Sequence, residues 1–477
     1  MIYRMRMQSS HRRQLQELLS DRSREQACFL LCRQAIADDE TLLLVVKVLA
    51  LDATDLTVHR PDQLSVSPTA MLRIARLAQK EDAAVCMVHT HPGSLDDVAF
   101  SRADDIGNLR TFQFFHRMVP GQLHSCLVWS GNLEHTAGRI YQCDATWSVL
   151  GSVDIVSGEN WNRYIDHTHR GAAFDSALFD RQARLLGEAG QAIISNLKIG
   201  IVGCGGLGSV AATLLVHSGI RNFTLVDFDR AEPSNLPRLL GATYNDAHHH
   251  VRKTEILQRV IKAVCPGAVV RTSEAPVEEP LLLKELFGLD AIICGTDDTT
   301  SRAFLNQLCH QYYVPLLDLG VQFVVDPETG EVVSNAGKIN LTRPGDPCLL
   351  CIGHVNPQVL ADEALDDETR EHRRNEGYLR GGDVHEPAMM TFNMQVAARG
   401  VQVLVSWFSG FQPIPIEQFE RYDFLGTANR GLSSFTRKRK SHGCPLCGPD
   451  SHLLGRGDAH PMVVAPRPRA SISEKQS

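Results

Sequence analysis

Residues 197–219, "LKIGIVGCGGLGSVAATLLVHSG", decide the fold. A short run of Ile and Val reads as a buried strand, Gly203, Gly205, Gly206 and Gly208 as a tight turn, and the Ala- and Leu-rich continuation as a helix. Asp227 follows nineteen residues after Gly208, at the end of a second apolar run, "NFTLVDFD". Glycines let the backbone approach a phosphate, a helix N-terminus favours negative charge, and an acid at this distance can bind a ribose hydroxyl. The pattern predicts nucleotide binding and leaves NAD and ATP both open. "AIICGTDD" and "YYVPLLDLG" supply further buried strands with helices between them. A doubly wound, mostly parallel, Rossmann-like α/β sheet follows.

Toward the N-terminus the text changes. Residues 26–60 are strand-rich, a capping serine at Ser67 opens a helical pattern, and the strand "AVCMVH" follows, so the first 150 residues read as an α/β unit of their own. That strand runs into "MVHTHPGSLDDVAFSRADD", residues 87–105. His89 and His91, one residue apart on an extended segment, leave the same face and can share a cation. Asp104 would be a third ligand, leaving the fourth position of a tetrahedral zinc open to water, which is the arrangement hydrolysis needs. The same letters carry a second reading. "SRAD", Ser101 to Asp104, is a capping box that starts a helix without any metal.

A chain of 477 residues exceeds one typical domain, and its net charge of −7 gives no footing for a nucleic-acid or membrane-surface protein. The "RKRK" run from Arg437 to Lys440 is expected to be a solvated loop. No signal-peptide core or membrane-length apolar stretch is present, so a cytoplasmic location is expected. Thirteen cysteines, an odd number, then point to ligands, nucleophiles or core filler before disulfides. Cys348 and Cys351 form one CxxC pair and Cys444 and Cys447 another, a closed four-thiolate set of structural type. Residues 151–175 read as a linker and 452–477, poor in core residues, as a disordered tail. His248 to His250 sit in a polar loop and are not expected to bind metal.

Two family resemblances sharpen this. Residues 1 to about 145 resemble the JAB/MPN (JAMM) zinc peptidases: Glu25 in "EQACFLLC", then His89-Thr90-His91-Pro92, then Ser101-Arg102-Ala103-Asp104. The resemblance implies that Glu25 takes the water's proton, His89, His91 and Asp104 hold a catalytic zinc, and Ser101 orients the oxyanion. Two departures stand out: nine residues, Pro92 to Phe100, separate His91 from Ser101 where the family usually has seven, and Cys28 occupies a common glycine position. The longer spacing leaves Asp105 as an alternative ligand.

From about 176 to 448, "FDRQARLLGEAGQ", "VDFDRAEPSNLPR", "VRKTEI", "CGTDDTTSR" and the two CxxC pairs resemble the ThiF/MoeB-type, ubiquitin-activating-enzyme-like adenylyltransferases. The implied reaction is attack by a C-terminal glycine carboxylate on the α-phosphate of ATP, releasing pyrophosphate. By this resemblance the four glycines and Asp227 hold the nucleotide, Asp229 and Asn235 shape the adenine and phosphate side, and Arg238 and Lys253 neutralise the triphosphate. Asp297 would hold Mg2+, Arg181 would enter from the partner of a homodimer, and the four cysteines would hold a structural Zn2+. Residues 352–443 contain no cysteine, and Glu376 lies where a thioester-forming cysteine could stand, so no thioester in that segment is expected.

The domains expected are therefore 1–150 peptidase, 151–175 linker, 176–451 adenylyltransferase and 452–477 tail. The two together imply a bifunctional enzyme that processes and activates a ubiquitin-like protein, with a conjugating enzyme as an optional further partner, in a bacterial conjugation pathway such as antiviral defence. A sulfur-carrier protein of cofactor or sulfur metabolism as substrate, or a scaffold with an inactive peptidase half, are the alternatives.

Overall fold

The computed structural model describes every residue except 61–62, 96, 166–173, 327, 367, 370–371, 373–386, 413–415, 425–439, 449 and 463–477. The chain divides into two units. The first comprises Met1–Ala172 with His310–Tyr313 and His452–Pro461, and the second holds Ala173–Cys309 and Val314–Ser451.

The elements of the first unit are β1 (Ile2–Met7), α1 (Ser9–Leu18), β2 (Ala27–Ile36), β3 (Glu40–Ala50), β4 (Leu56–Arg60), β5 (Gln63–Val66), α2 (Pro68–Glu81), β6 (Ala84–His91), α3 (Arg102–Met118), β7 (Ser125–Ser130), β8 (Thr136–Tyr141), β9 (Trp147–Val149), β10 (Ser152–Ile155) and β11 (Asn162–Ile165). Nine of the strands form one mixed sheet in the order β11-β10-β1-β3-β2-β6-β7-β8-β9, and β4 pairs with β5 apart from it. Successive side chains of a strand face opposite ways, and β2 shows the result. Cys28, Leu30 and Cys32 join Leu15 and Leu19 from the α1 side, whereas Phe29 and Leu31 pack with Ile74 of α2 and Phe112 of α3 on the other. Both faces of β2 are therefore apolar. Ser67 caps α2 as expected, its hydroxyl accepting the Ala70 N–H at 3.2 Å.

Two expectations about boundaries are corrected here. The stretch expected to be a linker contains β10, parallel to β1, and β11, antiparallel to β10. A fully buried charge disguised β10. Asp154 is paired with Arg4 at 2.7 Å and Arg163 at 2.8 Å, and Arg4 also reaches Glu40 at 2.9 Å. The tail expected to be disordered begins with an ordered segment, His452–Pro461, belonging to the first unit. Asp458 there accepts the Ile36 N–H at 2.8 Å and the Tyr312 hydroxyl at 3.1 Å. Gly457 has φ +53, and a Cβ on it would stand 2.4 Å from the Gln34 carbonyl oxygen, so glycine lets the segment lie against β2. Residues 463–477, like Arg437 and Glu376, lie outside the described residues.

The second unit runs α4 (Asp180–Asn196), β12 (Lys198–Val202), α5 (Gly206–His217), β13 (Asn222–Val226), α6 (Tyr244–His248), α7 (Lys253–Val264), β14 (Val269–Ser273), α8 (Pro280–Phe287), β15 (Ala291–Cys294), α9 (Thr299–Tyr312), β16 (Leu316–Val325), β17 (Val332–Thr342), α10 (Pro357–Glu363), α11 (Met390–Ser409) and β18 (Phe419–Tyr422). Its sheet has the order β14-β13-β12-β15-β16-β17-β18. The first five strands are parallel, as expected, and β17 and β18 extend the sheet antiparallel. The chain order reverses between β12 and β15, and ligands of such sheets bind beyond the carboxyl ends of the strands at that switch point. Among the described residues no helix is long and apolar enough to cross a membrane.

Candidate functional site

In the first unit, β6 ends on His89, Thr90 and His91 beside the start of β2. The Thr90 N–H donates to the Gln26 carbonyl at 3.0 Å, and the Gln26 N–H donates to the Thr90 hydroxyl at 3.0 Å. One residue further along this antiparallel pairing sets Glu25 opposite His91, and the Glu25 charge acts on that imidazole. His59 of β4 fixes the Glu25 backbone, with Nε2 2.9 Å from its carbonyl oxygen.

The first turn of α3 brings the third group. Asp104 Oδ1 is 3.0 Å from His89 Nε2, and Oδ2 is 3.2 Å from His91 Nε2. Burial works against the charge of Asp104, yet its contacts with the two imidazoles and the Ser101 N–H hold the carboxyl well below its ordinary range. His91 is pushed up, chiefly by its hydrogen bond to Asp104. The capping box read from "SRAD" is present, and its carboxylate also faces both histidines. The Asp104 N–H donates to Ser101 Oγ at 3.1 Å and the Ser101 N–H to Asp104 Oδ2 at 2.6 Å, closing a capping box around the carboxylate that faces both histidines. Asp105 turns away to Arg139, at 2.6 Å.

His89 tests whether this set fits a cation. It is 3% exposed, and neither ring nitrogen has an aligned hydrogen bond although Nε2 touches a carboxylate. A buried imidazole left without a partner is costly unless something accepts its lone pair. One ligand atom from each of His89, His91 and Asp104 lies within 4.8 Å of the others. Two nitrogens and an oxygen suit zinc and leave a coordination position open.

In the second unit the glycine loop crosses the ends of β12 and β15. Gly203 has φ +87, and a Cβ on Gly208 would stand 1.9 Å from the Gly203 carbonyl oxygen, so the turn admits only glycine at these two positions. Asp227, at the end of β13, anchors the loop: Oδ2 accepts the Cys204 N–H at 2.6 Å and Oδ1 the Asp229 N–H at 2.8 Å. Burial pushes the Asp227 carboxyl up. Lys253, the first residue of α7, places Nζ 2.7 Å from Asp229. Against its burial, Asp227, Asp229 and Asp297 together raise the Lys253 pKa, so it stays cationic.

Other residues singled out in the sequence are placed less centrally. Asn235 Oδ1 accepts the Glu232 N–H at 3.3 Å, and Arg238 Nη1 donates to the Ser234 carbonyl at 2.9 Å, both within one turn. Gly205 opens α5, and a Cβ on Gly206 would meet Asn393 of α11 at 2.4 Å. Asp297 is exposed, and Arg181 is exposed on the first turn of α4.

Arg302, part of the "CGTDDTTSR" stretch, has no role in the sequence reading. Its guanidinium donates to the Thr296 carbonyl at 2.5 Å and to Asp318 at 3.0 Å, and His354 completes the group 3.3 Å from Asp318. Arg302 thus holds the loop that carries Asp297.

The four cysteines meet as expected. Cys348 Sγ lies 3.5 Å from Cys444 Sγ, and Cys351 Sγ 3.6 Å from Cys447 Sγ, too far for disulfides and near the spacing of thiolates about one tetrahedral zinc. Cys348 is drawn down to about 5, chiefly by the hydrogen bond with Cys447, which favours a thiolate ligand. His249 Nδ1 lies 2.9 Å from Asn245 O of its own helical turn.

A doubly wound sheet, a glycine loop anchored by a half-buried acid and a four-cysteine cluster define the adenylyltransferase type of nucleotide-binding fold. The chain belongs to the ThiF family, whose model matches residues 179–446. It is 32% identical over 128 residues to the molybdopterin-synthase adenylyltransferase of Haemophilus influenzae, covering 27% of this chain and 52% of that one. It is 25% identical over 191 residues to the SAMP-activating enzyme E1 of Haloferax volcanii, covering 39% of this chain and 66% of that one. The matches thus span about half to two thirds of those relatives' length. Among solved structures, E. coli MccB with ATP is similar at a TM-score of 0.44 and 18% identity, over 58% of this chain and 76% of that one.

Proposed function

We propose that the second unit adenylates the C-terminal carboxylate of a small ubiquitin-like or sulfur-carrier protein. The observation that carries this reading is the cluster of Lys253 with Asp227, Asp229 and Asp297 at the strand ends of a ThiF-family sheet. In this reaction a carboxylate oxygen bonds to the α-phosphorus of ATP and the bond to the β-phosphate oxygen breaks, releasing pyrophosphate. Such displacement needs positioning and charge neutralisation more than covalent help. Asp227 receives the ribose, the glycine loop and the first turn of α5 face the phosphates, and Lys253 meets the charge that shifts toward pyrophosphate. Asp297 supplies an exposed carboxylate for magnesium, while Asn235, Arg238 and, from a second copy of the chain, Arg181 close on the nucleotide when it binds. Purified protein with a cognate carrier should exchange labelled pyrophosphate into ATP. No exchange with any carrier would sink the proposal.

For the first unit the reading is a zinc hydrolase of the JAB/MPN type, cleaving at the terminus that the second unit activates. It rests on the buried His89, whose Nε2 touches Asp104 without an aligned hydrogen bond, grouped with His91. Zinc in this set would supply an acidified water and polarise the scissile carbonyl. Glu25, opposite His91, accepts the water's proton, and Ser101, whose oxygen already accepts the cap bond, keeps its own hydrogen to donate to the oxyanion. Metal analysis of the purified chain should find two zinc ions, one of them held by the cysteines. A single ion would leave the first unit a scaffold. With carrier present, an isopeptide product marks a conjugation pathway of the kind used in antiviral defence, and a thiocarboxylate marks sulfur transfer.

A further inference from the structure

We propose that Arg139 of β8 is a positioning residue for this metal site, fixing the rotation of α3 so that Asp104 faces the two histidines. The inference rests on the hydrolase reading of the first unit. Arg139 touches both ends of the segment that carries Ser101 and Asp104. Its guanidinium carbon lies 4.0 Å from the centre of the Phe100 ring, and Nη1 is 2.6 Å from Asp105 Oδ1. Phe100 immediately precedes Ser101, and Asp105 immediately follows Asp104.

The arginine is itself held in place. Trp147 stacks on it at 4.2 Å, and Nε donates to Cys126 Sγ at 3.4 Å, leaving the side chain 11% exposed. Cys126 also accepts from Asn108, one turn further along α3, at 3.5 Å. Two adjacent rows of α3 are thereby tied to the same spot on the sheet. Consecutive residues of a helix differ by about 100° in direction. With Asp105 pinned to Arg139, Asp104 points toward the end of β6.

Phe100 passes the constraint on a second way, since its ring lies 6.1 Å from that of His89. Only a flat cation meets all of these demands. Guanidinium can lie against two rings while donating to carboxylate and sulfur, and an ammonium cannot. The grip leaves Asp104, not Asp105, against the two histidines.

The test is zinc affinity of the full-length chain, by competition with a chromophoric chelator, for wild type, Arg139→Met, Arg139→Lys and Asp105→Asn. The four-cysteine zinc serves as internal reference. Arg139→Met should weaken the second zinc about ten- to a hundredfold, the range for outer-shell partners of metal ligands. Arg139→Lys should recover only part of the loss, and Asp105→Asn should cause a smaller one that does not add to that of Arg139→Met. With the cysteine site filled by zinc, cobalt in the second site should lose its four-coordinate absorption in Arg139→Met. A purely structural role would lower the melting temperature and leave that spectrum intact.

If wild type takes two zinc ions and Arg139→Met holds both with unchanged affinity and spectrum, the positioning role is wrong and the hydrolase reading stands. If wild type takes one, both fall. Asp105 is more than half exposed, so Asp105→Asn keeps the test alive should Arg139→Met fail to fold.

Discussion

At the scale of single residues, Lys253 is the cation on which the nucleotide site depends. Three carboxylates raise its pKa while burial opposes its charge, so its removal leaves Asp227 and Asp229 facing each other with no compensation. Lys253→Met should lower carrier-dependent pyrophosphate exchange by roughly 10²- to 10³-fold, the scale for losing one preorganised charge contact in a transition state. Far-UV circular dichroism should be unchanged, because the side chain meets its partners at the rim of the sheet. Gly208→Ala tests the loop from the other side. The added Cβ would collide with the Gly203 carbonyl, so exchange should fall at least tenfold along with ATP affinity. Normal exchange in either variant would remove that residue from the site.

Elements show what the sequence could and could not convey. The glycine loop, the His-x-His pair and the CxxC pairs were legible because each is a short run whose spacing states its geometry. Partners across long separations were not. Arg139 meets Asp105 across 34 residues and Arg302 meets Asp318 across 16, and no local spacing marks either pair. Asp154 hid β10 in the same way.

Glu363 of α10 is a further case, capping α9 from 63 residues away. Its carboxylate accepts the Thr299 and Thr300 N–H groups at 2.9 and 2.8 Å, a charged cap on the helix that follows the Asp297 loop. Glu363→Gln should cost about 1 kcal/mol by chemical denaturation and reduce pyrophosphate exchange through that loop. His124, between α3 and β7, gives the first unit a pH dependence. Burial holds it down to about 4, and Nδ1 accepts the Val85 N–H at 3.0 Å. The unfolded chain protonates near 6.5 and the folded one only near 4, so stability is full above pH 6.5 and falls as pH drops through this window. The loss approaches roughly 3 kcal/mol by the bottom of the window. Melting temperatures of His124→Gln should fall less steeply there, with His11, also held down to about 4 by burial, contributing to the slope that remains.

At the scale of the whole molecule, the first unit is not one continuous stretch of chain. Its sheet ends with β11, yet Arg6 Nη1 donates to the Tyr312 carbonyl at 3.2 Å, the Tyr313 hydroxyl to the Val45 carbonyl at 3.0 Å, and Asp458 ties down Ile36. Ending the chain after Ser451 removes the Asp458 contacts and the Gly457 strap along β2. Such a chain should lose roughly 1–3 kcal/mol in the unfolding of the first unit, read by calorimetry, on the usual scale of a few buried hydrogen bonds. An unchanged transition would mean that the strap adds nothing. This discontinuity also has a consequence in time. A ribosome adding about 5–20 residues per second finishes the nine-stranded sheet well before it makes the strap, and the delay amounts to roughly 15–60 s. Through that interval the nascent first unit carries an uncovered stretch of β2, a window in which chaperones or the wrong neighbour could reach it before the chain closes over its own edge.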